Sequence, residues 1–331
     1  ALPAVLVALG LGLRLWNATR DLDTLLRTTL PDDAFYYFGI ARHLSLGDPP
    51  SIDGLNPTNG YHPLWMALLV PLYLLAPAGD MISPIRGALL LGAVLDAAAS
   101  ALLFRICRRI GLGTVASAAA LFVFVANPHQ IVNATCGLET PLALCLGLWR
   151  VWVPLAAAPG APPPARFGFI AGLAVLARTD QVILVGCLYA ASAWAVFRAD
   201  GYRAAARWKL VVVGGALATF APWAAYSVHS VGTVVQSSAL AMSFVHRHMP
   251  EVWGLAHPGA LLTAERALAA VVEANAVSWQ WQGLSVSAAA LGAVGVAVAL
   301  AASGTRERTV FGEKIRPILP FLAAMALLFI A

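Results

Sequence analysis

Two adjacent carboxylates, Asp32 and Asp33, follow Pro31 and lead into residues 34–46, where Phe35, Phe38, Ile40, Ala41 and Leu44 recur near helical spacing. The pattern predicts an amphipathic helix lying along a membrane surface. One acid at such an entrance serves as the N-cap, its carboxylate accepting backbone N–H groups. Only one is needed, and either Asp32 or Asp33 can cap. The other is then left to act as a general base on a hydroxyl, or to bind a cation.

Four further groups carry possible chemistry, each with a plainer reading beside it. Asp53 to Trp65 is a run of turn formers that places Tyr61, His62 and Trp65 at headgroup depth. An aromatic belt accounts for them, and the imidazole of His62 can also meet a phosphate. Glu139 stands where a helix should begin, with Pro141 in its first turn. Charge complementarity at a helix N-terminus explains it, as does a position facing the acidic pair.

Arg178-Thr179-Asp180 interrupts a long apolar stretch, where charges are costly unless they face protein, water or a ligand. Either Arg178 and Asp180 pair with each other at a turn, or the guanidinium holds a phosphate through bidentate contacts. His246-Arg247-His248 has no acidic partner at zinc-ligand spacing, which leaves phosphate contact by Arg247 or surface exposure. Trp279 and Trp281 read as an interfacial belt or a sugar-stacking pair. Cys107, Cys136, Cys145 and Cys187 are scattered without a CxxC and read as small apolar fillers.

The elements that must position these groups are membrane helices. Hydrophobic residues make up 60% of the 331-residue chain and charged residues 11%, which excludes an ordinary soluble domain. The net charge of +5 gives no case for nucleic acid. Apolar stretches predict about nine spans, near 2–17, 84–104, 113–128, 139–157, 167–177, 181–197, 210–228, 284–303 and 317–331. The run 62–76 is short and holds two prolines, so it is expected to lie at the interface. A start at Ala1 and a stop at Ala331 inside an apolar run read as the ordered part of a longer chain.

Basic clusters at Arg105/Arg108/Arg109, Arg198/Arg203/Arg207/Lys209 and Arg306/Arg308/Lys314/Arg316 belong in the cytoplasm by the positive-inside rule. Counting back puts 18–83 outside, together with the turn at 127–139, the break at 178–180 and a long segment 229–283. Every polar group above then falls on one side. The chain reads as one transmembrane domain.

In Pro31 to Arg42, Asn59 to Trp65, Gly137 to Thr140 and Gly172 to Asp180, in that order, the chain resembles the GT-C superfamily of polyprenyl-phosphate-sugar glycosyltransferases. That group includes protein mannosyltransferases, aminoarabinose transferases and arabinofuranosyltransferases. The resemblance covers roughly residues 1–240, by the order and spacing of these motifs. It implies an all-α polytopic fold, a GT-C-like transmembrane helix bundle with juxtamembrane helices in the first extracytoplasmic loop. It also implies inverting sugar transfer from a polyprenyl-phosphate donor to a lipid, glycan or protein acceptor. Asp33 falls at the catalytic aspartate, with Asp32 as the register alternative.

His62 falls where relatives often place a phosphate-contacting lysine. Arg178, with Arg247 more remote, would hold the leaving phosphate, while Glu139, Asp180 and Tyr61 complete the substrate-binding set. No cofactor is required by the sequence; some relatives use a divalent cation and others do not. A bacterial inner membrane with the site facing the periplasm or exterior suits the composition, with membrane lipids and partner subunits as neighbours. A non-catalytic scaffold subunit and a lipid or solute transporter are the competing classes. The transporter class is marked by internal repeats and midplane charges.

Overall fold

The computed structural model describes residues 1–156 and 163–252. The expected spans 284–303 and 317–331, Trp279, Trp281 and most of the segment 229–283 lie outside the described residues. Among the described residues eleven α-helices carry the fold. They are α1 Leu2–Ala18, α2 Leu22–Thr28, α3 Asp32–Ser45, α4 Pro63–Leu75, α5 Ile82–Arg109, α6 Thr114–Ala126, α7 Pro128–Ala134, α8 Thr140–Ala156, α9 Pro164–Ala177, α10 Gln181–Val231 and α11 Ser237–Val252.

Helices α5 and α10 are long and apolar enough to cross a membrane. The pairs α1–α2, bent by 106°, and α6–α7, bent by 64°, bring the candidates to four if each is one span. Helices α4, α8 and α9 are apolar but shorter. The chain is thus an all-α integral membrane protein with two to four candidate spans among the described residues.

Helix α10 is not a single rod. Gly201 has φ 81°, a backbone state that only glycine adopts at little cost. The rings of Tyr189 and Trp208 lie 5.9 Å apart. A straight helix would separate these residues by about 28 Å. The chain therefore folds back at Gly201 into antiparallel limbs, 181–200 and 202–231, close to the expected spans 181–197 and 210–228. Helix α9 lies so close to the second limb that a Cβ on Gly168 would collide with the Val212 carbonyl, and one on Gly172 with Thr219. Small residues at such crossings let backbones pack where lipid offers no hydrophobic drive.

Following the chain through these reversals gives the bundle two chemically distinct ends. Helix α5 leaves α3 and α4 and finishes at Arg109, whose Nε donates to the Leu155 carbonyl near the end of α8 (2.5 Å). The hairpin at Gly201 and the start of α9 lie at that same end. It carries Arg105, Arg108, Arg109, Arg166, Arg198 and Arg203. The opposite end holds α2, α3, α4, the 135–140 segment, the α9–α10 break and the start of α11. The sequence-predicted acidic and phosphate-contacting groups belong to it.

Helix α3 packs on α4 through Phe38, Ala34 and Ala41 against a buried face of Trp65, Met66 and Leu69. Two readings from the sequence are corrected here. Asp32 is not the cap: the N-cap position is Pro31, which has no side-chain donor or acceptor, so Asp32 and Asp33 occupy the first turn itself. The Asp32 carboxylate accepts the neighbouring Asp33 N–H (3.0 Å). The expected turn at 127–139 contains α7, entered through Asn127, whose Oδ1 accepts the His129 N–H (2.9 Å). Pro128 supplies the preset φ that starts it.

Candidate functional site

Glu139 is the centre of the site. It directly precedes α8, and its carbonyl accepts the Ala143 N–H (3.0 Å), the first bond of that helix. The expected position at a helix start is therefore observed. Its side chain, however, points into protein, with the residue only 7% exposed. Gly137 makes this possible: at φ 82° it turns the chain, and a Cβ there would strike the Phe38 ring and touch Ala34. Trp65 Nε1 donates to the Gly137 carbonyl (3.0 Å), pinning the turn to α4. Trp65 itself is wholly buried in the protein.

Two nitrogen groups face the Glu139 carboxylate. His62 Nε2 lies 3.6 Å and Arg178 Nη1 4.0 Å from Oε1. Both separations exceed hydrogen-bond length, so both donors keep capacity for another group. Oε2 is buried and has no hydrogen-bond partner among the described residues. Asp180 pairs with Arg178, Oδ2 to Nε at 2.9 Å, so the local pairing read from the sequence exists. It leaves the rest of the guanidinium, 40% exposed at the side chain, facing Glu139 and the surface. The backbone break at Arg178, extended at the end of α9, is what turns it there.

Two residues unseen in the sequence order this cluster. Gln236, just ahead of α11, donates from Nε2 to the Tyr61 carbonyl (2.8 Å) and lies 3.4 Å from His62 Nδ1. Its Oε1 accepts from Thr179 Oγ1 (3.2 Å), which fixes the amide's orientation. With the amide N–H toward Nδ1, the His62 proton sits on Nε2, toward Glu139. Tyr37 Oη accepts the His62 N–H (3.4 Å). Burial, reinforced by the Glu139 charge, holds its phenol protonated well above the usual range. Tyr37 lies four residues after Asp33, one helical turn on, and that spacing was a legible sign. Gln236 had none, being 174 residues from His62.

Asp33 is exposed, and its carboxylate has no hydrogen bond or ion pair among the described residues. It shares a face of α3 with Tyr37, beside the 137–139 turn that abuts Ala34. Tyr61 is packed inside, its ring 5.1 Å from Trp223, and contributes its carbonyl rather than its phenol. Arg247 belongs to α11, but its side chain lies outside the described residues. Cys136 is a buried filler, its thiol pushed up by burial. Among the described residues no three His, Cys, Asp or Glu side chains gather as a cation site.

Burial holds the His62 pKa below its ordinary 6.5, although Glu139 pulls the other way. Neutral His62 is thus the native form. A group whose folded pKa is depressed stabilises the protein fully above its unfolded value, and that stability is lost as pH falls through the folded value. Thermal unfolding in detergent should therefore fall between pH 6.5 and the lower folded pKa. The His62→Gln variant should show a flatter slope over that window. An unchanged slope would mean that His62 titrates normally.

Comparison with family models, with curated proteins and with solved structures finds no match to this chain.

Proposed function

We propose that this chain is a membrane glycosyltransferase that moves a sugar from a polyprenyl-phosphate donor to an acceptor hydroxyl, with inversion. The bundle is read as GT-C-like, with α3 and α4 as its juxtamembrane helices. One observation carries the reading: a free carboxylate, Asp33, stands one helical turn from Tyr37, which joins buried Glu139 and the half-buried His62 and Arg178 at a single end of the bundle. The sum of these groups is a base beside hydrogen-bond donors that can take up developing negative charge.

In the proposed step Asp33 accepts the acceptor's hydroxyl proton as its oxygen bonds to the anomeric carbon. The bond from that carbon to the phosphate oxygen breaks, and the polyprenyl phosphate leaves with the electron pair. Arg178 and the Nε2–H of neutral His62 hold that phosphate. Glu139 positions both donors. The basic opposite end is read as the cytoplasmic side by the positive-inside rule, and in this proposal the chemistry lies outside, in a bacterial inner membrane.

Reconstituted full-length protein, offered polyprenyl-phosphate sugars and acceptor lipids, glycans and peptides, should yield a glycoside of inverted anomeric configuration by NMR. A product of retained configuration would remove the single-displacement mechanism. No transfer from any donor by folded protein would leave the scaffold reading in its place.

A further inference from the structure

The end of the bundle away from the candidate site holds an open-sided cavity of about 280 Å³ lined by Phe104, Arg105, Arg108, Arg109 and Trp152. Three guanidinium groups share it, and no carboxylate is among its lining residues. Such a concentration of like charge is unfavourable unless an anion answers it. Two of the arginines are fixed in place by backbone acceptors. Arg108 Nη1 donates to the Leu112 carbonyl (2.8 Å), and Arg109 Nε to the Leu155 carbonyl (2.5 Å). Each bond uses one nitrogen and leaves the others of that fork available. Arg105 has no hydrogen bond or ion pair among the described residues and is exposed.

The lining is also amphipathic. Phe104 and Trp152 flank the arginines, and the cavity sits where the long apolar helix α5 ends. Groups that meet a phosphate on one side and acyl chain on the other are arranged in this way, with tryptophan at the level between. A soluble phosphate would need the charges alone and would gain nothing from the aromatic wall.

We propose that this cavity binds the phosphate headgroup of an anionic phospholipid, with Arg105, Arg108 and Arg109 as ligands and Trp152 and Phe104 against the glycerol and upper acyl region. It is a second lipid site, at the opposite end of the bundle from Asp33, and does not depend on the glycosyltransferase reading.

Native mass spectrometry of the full-length protein, with phosphatidylglycerol and phosphatidylcholine titrated in parallel, tests this. The wild type should retain phosphatidylglycerol in preference. Arg105→Gln, which breaks no contact within the described fold, should lower that preference about fivefold, as expected for one arginine at an anionic surface. Trp152→Leu, which keeps every charge, should lower retention of both lipids. As a control, Arg198→Gln/Arg203→Gln removes two charges from the same end and should leave the preference unchanged.

Equal retention of the two lipids by the wild type would overturn the proposal. So would a control variant that loses as much as Arg105→Gln, since the preference would then follow bulk charge. Inorganic phosphate that binds the wild type and displaces phosphatidylglycerol at equal concentration would reassign the cavity to a soluble anion.

Discussion

Asp33→Asn is expected to lower sugar transfer by about 10²–10⁴-fold, the usual contribution of a positioned general base, while Asp32→Asn stays within a few-fold of the wild type. The two acids are adjacent in sequence but not equivalent in place. Successive residues on a helix point about 100° apart, so only one of them can share the face of Tyr37. That residue is Asp33. Asp32 spends an oxygen on the Asp33 N–H (3.0 Å), a bond that an asparagine side-chain carbonyl can still accept. The exchange at Asp33 keeps size and removes the proton acceptor, so donor binding should survive where turnover does not. Single-turnover rates and donor affinity, measured on the same preparations, separate the two. Equal losses in both variants, or a loss of donor binding at Asp33→Asn, would remove Asp33 from the role of base.

Much of this arrangement was legible in the sequence because it is written in short-range patterns. The apolar stripe of 34–46 became α3 (Asp32–Ser45), and the proline-bearing run 62–76 became the short helix α4 (Pro63–Leu75). Continuous apolar runs marked α1, α5 and α8 to within a few residues at most ends. Caps were less legible. Whether a helix starts on Pro31 or Asp32 is decided by backbone angles that the residue types alone leave open. The α7 turn was hidden because Asn127-Pro128 reads equally well as a loop or as a helix entrance. Bringing together Glu139, His62 and Arg178 required three chain reversals, so their common end followed from counting crossings. Their distances did not, nor did Gln236, which touches them through a tertiary contact alone.

The largest gap lay inside the bundle. Arg14 and Asp96 sit within apolar stretches and make an ion pair of 2.6 Å with no side-chain exposure on either partner. Ionisable residues within spans are rare and are held by partners, and Arg14 has several. Its Nη1 donates to the carbonyls of Gly10 (3.1 Å) and Val125 (2.7 Å), and Gln130 donates to the other Asp96 oxygen. One network thus fastens α1, α5, α6 and α7. Gly10 permits it, since a Cβ there would collide with Val125 and hold α1 away. Asp96 lies about 21 Å along α5, near the middle of that helix.

Breaking this pair from one side should be the most destabilising change in the protein. Asp96→Leu or Arg14→Met leaves the other charge buried without its counterion, and a loss of about 3–5 kcal/mol is expected. The double variant Arg14→Met/Asp96→Leu removes both charges together and should recover most of that loss, because neither desolvation penalty remains. Unfolding in mixed micelles, measured on the four proteins as a cycle, gives the coupling.

The cycle also separates two readings of a charge pair at mid-bundle. A transporter uses such residues as a path, and its flux would vanish in the double variant however stable that protein was. A clamp needs only to be closed, so the double variant should keep both its fold and the proposed transfer reaction at the far end. The absence of any exposed surface on either side chain favours the clamp, since an ion or proton path requires water to reach one of them.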